Sequence, residues 1–214
     1  MTISLYICED NFEYARNLQT YLPKMGDFKF VGKAANGEQA VQDEALYQAD
    51  LLLLDLEMPV KDGIWVIEKL AVKNKKPEIL VLTSFKSEKK VFIAIKKGAS
   101  GYLVKGESLK IIIKAIEDIL QGGVVIDSSL AARFWRLFNA SLGKCDEVPW
   151  ALTIEELDIL TFVAKGLSNP EVGKIMGYSR TKVKKLLHSI YTKLGVNSRV
   201  EAVILALKAG LIEL

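Results

Sequence analysis

The sequence predicts an α/β protein: a doubly wound parallel sheet followed by a second, smaller domain built only of helices. Three observations carry that expectation. Leu51-Leu52-Leu53-Leu54 is an unbroken apolar run. A strand with one wet face would alternate apolar and polar residues, so this one reads as buried on both faces of a parallel sheet. Four more strand-like runs precede residue 105, each separated from the next by a helical pattern. From Thr153 onward strand texture vanishes, and short helical patterns follow one another to the end.

Taken in order, Ile3–Cys8 is the first strand, and the helix from Asn11 to about Lys24 carries Phe12, Ala15, Leu18 and Leu22 at helical spacing. Phe28–Ala34 is a strand and Gly37 to about Gln48 a helix. After the four leucines, Pro59 and Asp62-Gly63 mark a turn, with Asp62 capping a helix to about Asn74. Glu78–Leu82 is the fourth strand. Lys86–Lys97 is helical, with five lysines around Val91, Phe92 and Ile95; a solvated face accounts for them. Gly101–Val104 is the fifth strand. Ser108 caps a helix whose stripe is Leu109, Ile112, Ile113, Ile116 and Leu120, and Gly122-Gly123 ends it. Ser128–Phe138 is helix-like, and Asn139–Pro149 has the composition of a linker. The expected division is therefore 1–122, a helical segment and linker over 123–150, and a second domain over 151–214.

Half of the 214 residues are hydrophobic, enough for real cores. No apolar run approaches the roughly 18 residues that cross a bilayer, and the start lacks a basic-then-apolar leader, so the expectation is a cytoplasmic protein with no membrane partner. Cys8 and Cys145 build neither a disulfide framework nor a metal site. The net charge of +3 is unevenly spread: residues 1–125 hold 17 basic and 17 acidic groups, 126–150 three of each, and 151–214 nine and six. A surplus confined to the last domain points to a polyanionic partner there.

Chemistry gathers at strand ends. Asp55 ends the leucine strand, Glu9-Asp10 follow the first strand, Thr83 the fourth and Lys105 the fifth. Carboxyl ends of parallel strands are where open α/β sheets bind ligands. Asp55 alone would pass as a loop or cap carboxylate. Three carboxylates converging there favour a divalent cation, and oxygen-only ligation suits Mg²⁺. A cation, a lysine and a hydroxyl around a carboxylate make a site for phosphoryl chemistry with Asp55 as acceptor.

With those residues in place, the first 122 or so positions resemble the receiver domain of bacterial two-component response regulators. The matching pieces are Glu9-Asp10, Asp55 with Met58-Pro59 and Asp62-Gly63, Thr83-Ser84, and Tyr102 three residues before Lys105. The resemblance implies a flavodoxin-like five-stranded sheet ordered 2-1-3-4-5 and a phosphoryl group received by Asp55 from a histidine kinase. It also implies Mg²⁺ held by Glu9, Asp10, Asp55 and the backbone carbonyl of Glu57. Thr83, Ser84, Tyr102 and Lys105 would form the phosphoryl-contact and switch set, with Thr83 and Tyr102 drawn inward on phosphorylation.

In the last domain three helices open with Ser or Thr followed three residues later by Glu: Thr153–Glu156, Ser168–Glu171 and Ser198–Glu201. Each is a candidate capping box. Ser179 is a simple N-cap, and Gly177-Tyr178-Ser179 makes a tight helix-turn-helix connection. The helix from Arg180 to Leu194 buries Val183, Leu186, Leu187, Ile190 and Leu194, and no acid occurs from 172 to 200. As a recognition helix it would offer Lys184, Lys185 and His188 to base edges, and Ser179, Arg180, Thr181, Lys182 and Lys193 to phosphates. Residues 152–212 resemble the LuxR/NarL class of DNA-binding domains through Ala164–Asn169, Val183-Lys184, Lys193–Val196 and Arg199–Val203. Three positions depart from it: Glu155 replaces the usual arginine, Gly173 a helix alanine and Leu186 a common histidine. Gly173 is expected to weaken its helix by up to about 1 kcal/mol.

Together these readings describe a phosphorylation-controlled, homodimerising transcriptional regulator that binds promoter DNA, with no enzymatic role. An aspartyl-phosphate phosphohydrolase would need a second acid and a leaving-group pocket, which the sequence does not supply. A phosphorylation-independent regulator would have no use for the complete Asp55, Thr83 and Lys105 set.

Overall fold

A computed structural model describes residues 2–73, 76–84, 88–126 and 152–212. The helix-like stretch at 128–138, the linker at 139–150 and Cys145 lie outside the described residues.

The first unit follows the alternation of its strands. β1 (Ile3–Cys8), β2 (Phe28–Ala34), β3 (Leu51–Leu54), β4 (Glu78–Thr83), β5 (Gly101–Val104) and β6 (Val125–Ile126) form one parallel sheet ordered β2-β1-β3-β4-β5-β6. All four β3 leucines are buried, as a central strand covered on both faces requires. Leu51 and Leu53 join Leu5, Ile7, Leu80 and Leu82 on one face, beneath α1 (Phe12–Met25) and α5 (Leu109–Leu120). Leu52 and Leu54 join Tyr6, Cys8, Ile79 and Val81 on the other, beneath α2 (Gly37–Gln42), α3 (Gly63–Ala71) and α4 (Glu88–Lys96). The expected five strands become six. β6 is only two residues long, too short for any alternation to show in the sequence, and it joins through pairing with β5.

Local signals hold α3 where expected: Asp62 Oδ1 accepts from the Trp65 amide at 2.8 Å. Ser108 sits at the N-cap of α5 in extended backbone but makes no side-chain cap bond. Inside the sheet, burial pushes the Cys8 thiol up to about 12, so it is inert at neutral pH.

The second unit comprises α6 (Ile154–Ala164), α7 (Asn169–Met176), α8 (Arg180–Leu194) and α9 (Arg199–Lys208) around Ile159, Leu160, Val172, Val183, Ile190 and Ala202. Thr153 and Glu156 form the full reciprocal box. At Ser168 the Glu171 carboxylate accepts from both the amide and the hydroxyl, at 2.7 Å each. At α9 the box is displaced by one residue: Ser198 accepts from the Glu201 amide, but Glu201 accepts from Asn197 rather than from Ser198.

Gly173 is not the weak point its helix propensity implies. A Cβ there would stand 2.6 Å from the Tyr178 carbonyl oxygen, and the Gly173 carbonyl accepts from the Tyr178 amide at 2.7 Å. Glycine lets the α7–α8 turn close on the helix, and Gly177 completes that turn in the left-handed region at φ 70°.

The two units touch. Ile204 of α9 is buried in the same apolar cluster as Val91, Ala94, Ile95 and Tyr102. The Asn169 amide donates to the Gln121 carbonyl at 3.0 Å, the Arg180 guanidinium donates to the Leu120 carbonyl, and Lys184 stands 3.6 Å from Glu78.

Candidate functional site

The sheet delivers the strand-end residues to one edge because the ladders continue one residue past the strands. The Asp55 amide donates to the Cys8 carbonyl at 2.9 Å, that of Glu9 to Ala34 at 3.0 Å, and that of Lys105 to Thr83 at 2.9 Å. Glu9, Asp10 and Asp55 each bring one carboxylate oxygen within 4.8 Å of the others. The Lys105 ammonium lies 2.6 Å from Asp55 and 2.7 Å from Glu9, and all three side chains are largely buried. The Glu57 amide donates to Asp55 Oδ1 at 3.2 Å.

Electrostatics follow from that geometry. Burial pushes Glu9 above the ordinary carboxylate range, with Lys105 pulling against it. Desolvation pulls Lys105 down, but its bonds to Asp55 and Glu9 outweigh this and leave it raised and charged. Tyr14, which sequence reasoning passed over, places its ring 5.0 Å from the Lys105 ammonium. Burial and then the negative charges of Glu9 and Asp55 push its hydroxyl up to about 12. Only its place in the first turn of α1, just beyond the acidic pair, hinted at it.

The donor set suits a hard cation: among the described residues three carboxylate oxygens gather without sulfur or imidazole, and exposed Asp10 leaves one side open to water. Thr83 and Tyr102 are both fully enclosed, and Ser84 is exposed. Tyr102 lies in the cluster that holds Ile204 of α9. Glu57 turns its own carboxylate to Lys90 of α4, 2.6 Å away.

On α8, Ser179, Arg180, Thr181, Lys182, Lys184, Lys185 and His188 are all exposed around the helix start and outer stripe. Lys193 differs. Its ammonium lies 2.7 Å from the buried Glu156 carboxylate, which also accepts from Ser189 and from the Thr153 amide. Burial raises the Glu156 pKa, but these partners outweigh it and hold it below the usual 4.5. A depressed carboxylate adds stability above its unfolded pKa, and that stability is lost as pH falls through the lower folded value. Glu156→Gln is therefore expected to cost about 2 kcal/mol near neutrality and to flatten the acid limb of unfolding. Urea midpoints followed by circular dichroism across pH check this; an unchanged acid limb refutes it.

Two family profiles match the chain: the response regulator receiver domain over residues 5–117, and the luxR family of bacterial regulatory proteins over 151–206. The chain belongs to the LuxR-family response regulators. This response regulator is 30% identical over 207 residues to the transcriptional regulatory protein YdfI of Bacillus subtilis, covering 96% of each chain. It is also 30% identical to the response regulator protein VraR of Staphylococcus aureus over 213 residues, all of both chains. Among solved structures it is similar to the response regulator ChrA of a heme-sensing two-component system, with 26% identity, a TM-score of 0.54 and 99% of each chain covered. The response regulator thus pairs a receiver with a LuxR-type DNA-binding domain, and no helix among its described residues is long and apolar enough to cross a membrane.

Proposed function

We propose that Asp55 accepts a phosphoryl group from the phosphohistidine of a partner kinase. Its carboxylate oxygen attacks phosphorus, the P–N bond breaks, and the departing imidazole nitrogen takes up a proton. The observation that carries this reading is the Lys105 ammonium, placed within 2.7 Å of both Asp55 and Glu9 beside Asp10. Glu9, Asp10, Asp55 and the Glu57 carbonyl would hold Mg²⁺, which when bound neutralises phosphoryl oxygens. Lys105 holds the acceptor in place and meets the incoming charge, and Thr83, Ser84 and Tyr102 form the switch set.

Arg180, Lys182, Lys184, Lys185 and Lys193, with Ser179, Thr181 and His188, would meet duplex promoter DNA in the cytoplasm, with α8 in the major groove. Two copies would occupy half-sites about one helical turn apart. Regulation would run through the docked α9. Ile204 packs in the cluster that holds Tyr102 and α4, while Arg180 and Lys184 are engaged by Leu120 and Glu78. Phosphorylation at Asp55 would shift the equilibrium away from this contact and free the helix for DNA and for a second copy.

Incubation with acetyl phosphate and Mg²⁺, read by intact mass, tests the reading. The wild-type chain is expected to gain one phosphoryl group and Asp55→Asn none. Equal uptake by Asp55→Asn refutes the assignment.

A further inference from the structure

The first turn of α8 contains Arg180 and Lys182 and no acid, so it places positive charge where the helix macrodipole is already positive. A carboxylate from another helix compensates. Glu155 of α6 brings Oε1 to 3.2 Å from the Lys182 ammonium, which also stands 3.3 Å from the centre of the Tyr178 ring. Glu155 accepts a hydrogen bond from Tyr178 as well, and with Lys182 this holds its carboxyl below the ordinary range. Desolvation pulls Lys182 down, and its bonds to Glu155 and Tyr178 outweigh that and raise it. The Lys182 and Glu155 side chains remain 48% and 38% exposed. Such a surface pair contributes little to stability, so its consequence lies in what Lys182 must give up to bind anything else.

A carboxylate held against an exposed lysine ammonium takes the place that a DNA phosphate takes when that lysine contacts the duplex backbone. We propose that Glu155 occupies, within the chain, the phosphate position of Lys182, and so discriminates against non-specific DNA. This rests on the reading of α8 as the DNA-facing helix. A duplex that engages Lys182 must first displace Glu155. Non-specific binding depends almost wholly on phosphate contacts and bears the full penalty. A specific site adds base contacts that offset it. Glu155 is a positioning residue here: it acts through Lys182.

The test measures anisotropy of a labelled non-specific duplex with the full chain, phosphorylated beforehand with acetyl phosphate and Mg²⁺ to release α8, over a series of salt concentrations. Glu155→Gln keeps an acceptor for Tyr178 and removes the charge. It is expected to bind more tightly than wild type at low salt, with a log–log salt slope steeper by about one. Its advantage then shrinks roughly fourfold when salt is raised fourfold. In a Lys182→Ala background the same substitution is expected to change neither affinity nor slope.

Wild-type affinity and slope for Glu155→Gln overturn the proposal, and so does weaker binding, which would mean that Glu155 aims Lys182 productively. If Lys182→Ala alone leaves affinity and slope unchanged, or if neither wild type nor Glu155→Gln binds at the lowest salt, the reading of α8 fails and the proposal falls with it.

Discussion

Lys105→Ala is expected to destabilise the chain by about 3 kcal/mol and to remove most phosphoryl uptake. The Lys105 side chain is 13% exposed, and those of Glu9 and Asp55 are 2% and 6% exposed. Removing the one ammonium that both carboxylates share leaves buried charge unpaired, and breaking a buried pair from one side costs about 3–5 kcal/mol. The low end applies because Asp10 is exposed and lets water approach. The deficit depends on pH in a fixed sense. Burial already holds Glu9 above its unfolded value of 4.5, and loss of Lys105 raises it further. A carboxyl whose folded pKa is raised supports folding below the unfolded value and ceases to as pH rises through the folded one. The loss therefore grows from acid toward neutrality, and added Mg²⁺ raises the urea midpoint of the variant more than that of wild type. A variant midpoint equal to wild type at neutral pH would show that the carboxylates do not depend on Lys105.

What could be read from the sequence follows the range of each interaction. The β3 leucines announced burial on both faces by themselves, and Asp62 announced its cap within three residues. The strand-end acids, Thr83 and Lys105 were legible because apolar runs place them, without knowledge of any distance. β6 was not legible, since two residues carry no period and the pairing depends on β5. Gly173 misled for a related reason: propensity sees an isolated helix, whereas the Tyr178 carbonyl that packs on it belongs to the next turn. The bond between Lys193 and Glu156 was not legible, because the two lie 37 residues apart in sequence. Nothing local signals that Ile204, which keeps the helical spacing of its own domain, would be buried against α4 and β5.

Gly63→Ala is the substitution expected to damage the acceptor most without touching any of its charged groups. A Cβ on Gly63 would stand 2.2 Å from the Asp55 carbonyl oxygen and 2.9 Å from Leu56 Cα, both backbone atoms that no rotamer change can move. The Gly63 amide also donates to the Leu56 carbonyl at 3.1 Å, so the start of α3 lies directly on the chain that carries Asp55. Relief requires α3 to lift or the β3 exit to shift, and overpacking of this kind costs about 3 kcal/mol, the upper end of its usual range. The chemical effect is larger in proportion. A displacement of about 1 Å at a reacting carboxylate can slow transfer by roughly a hundredfold. Urea midpoints give the first quantity, and the rate of mass gain from acetyl phosphate with Mg²⁺ gives the second. Comparison with Lys105→Ala separates the causes. Extra Mg²⁺ should recover part of the stability lost with the ammonium but none of that lost with the glycine, because a cation can replace a missing charge and cannot make room for a methyl group. A Gly63→Ala chain with the wild-type midpoint and rate would mean that the β3–α3 connection yields freely and does not fix Asp55.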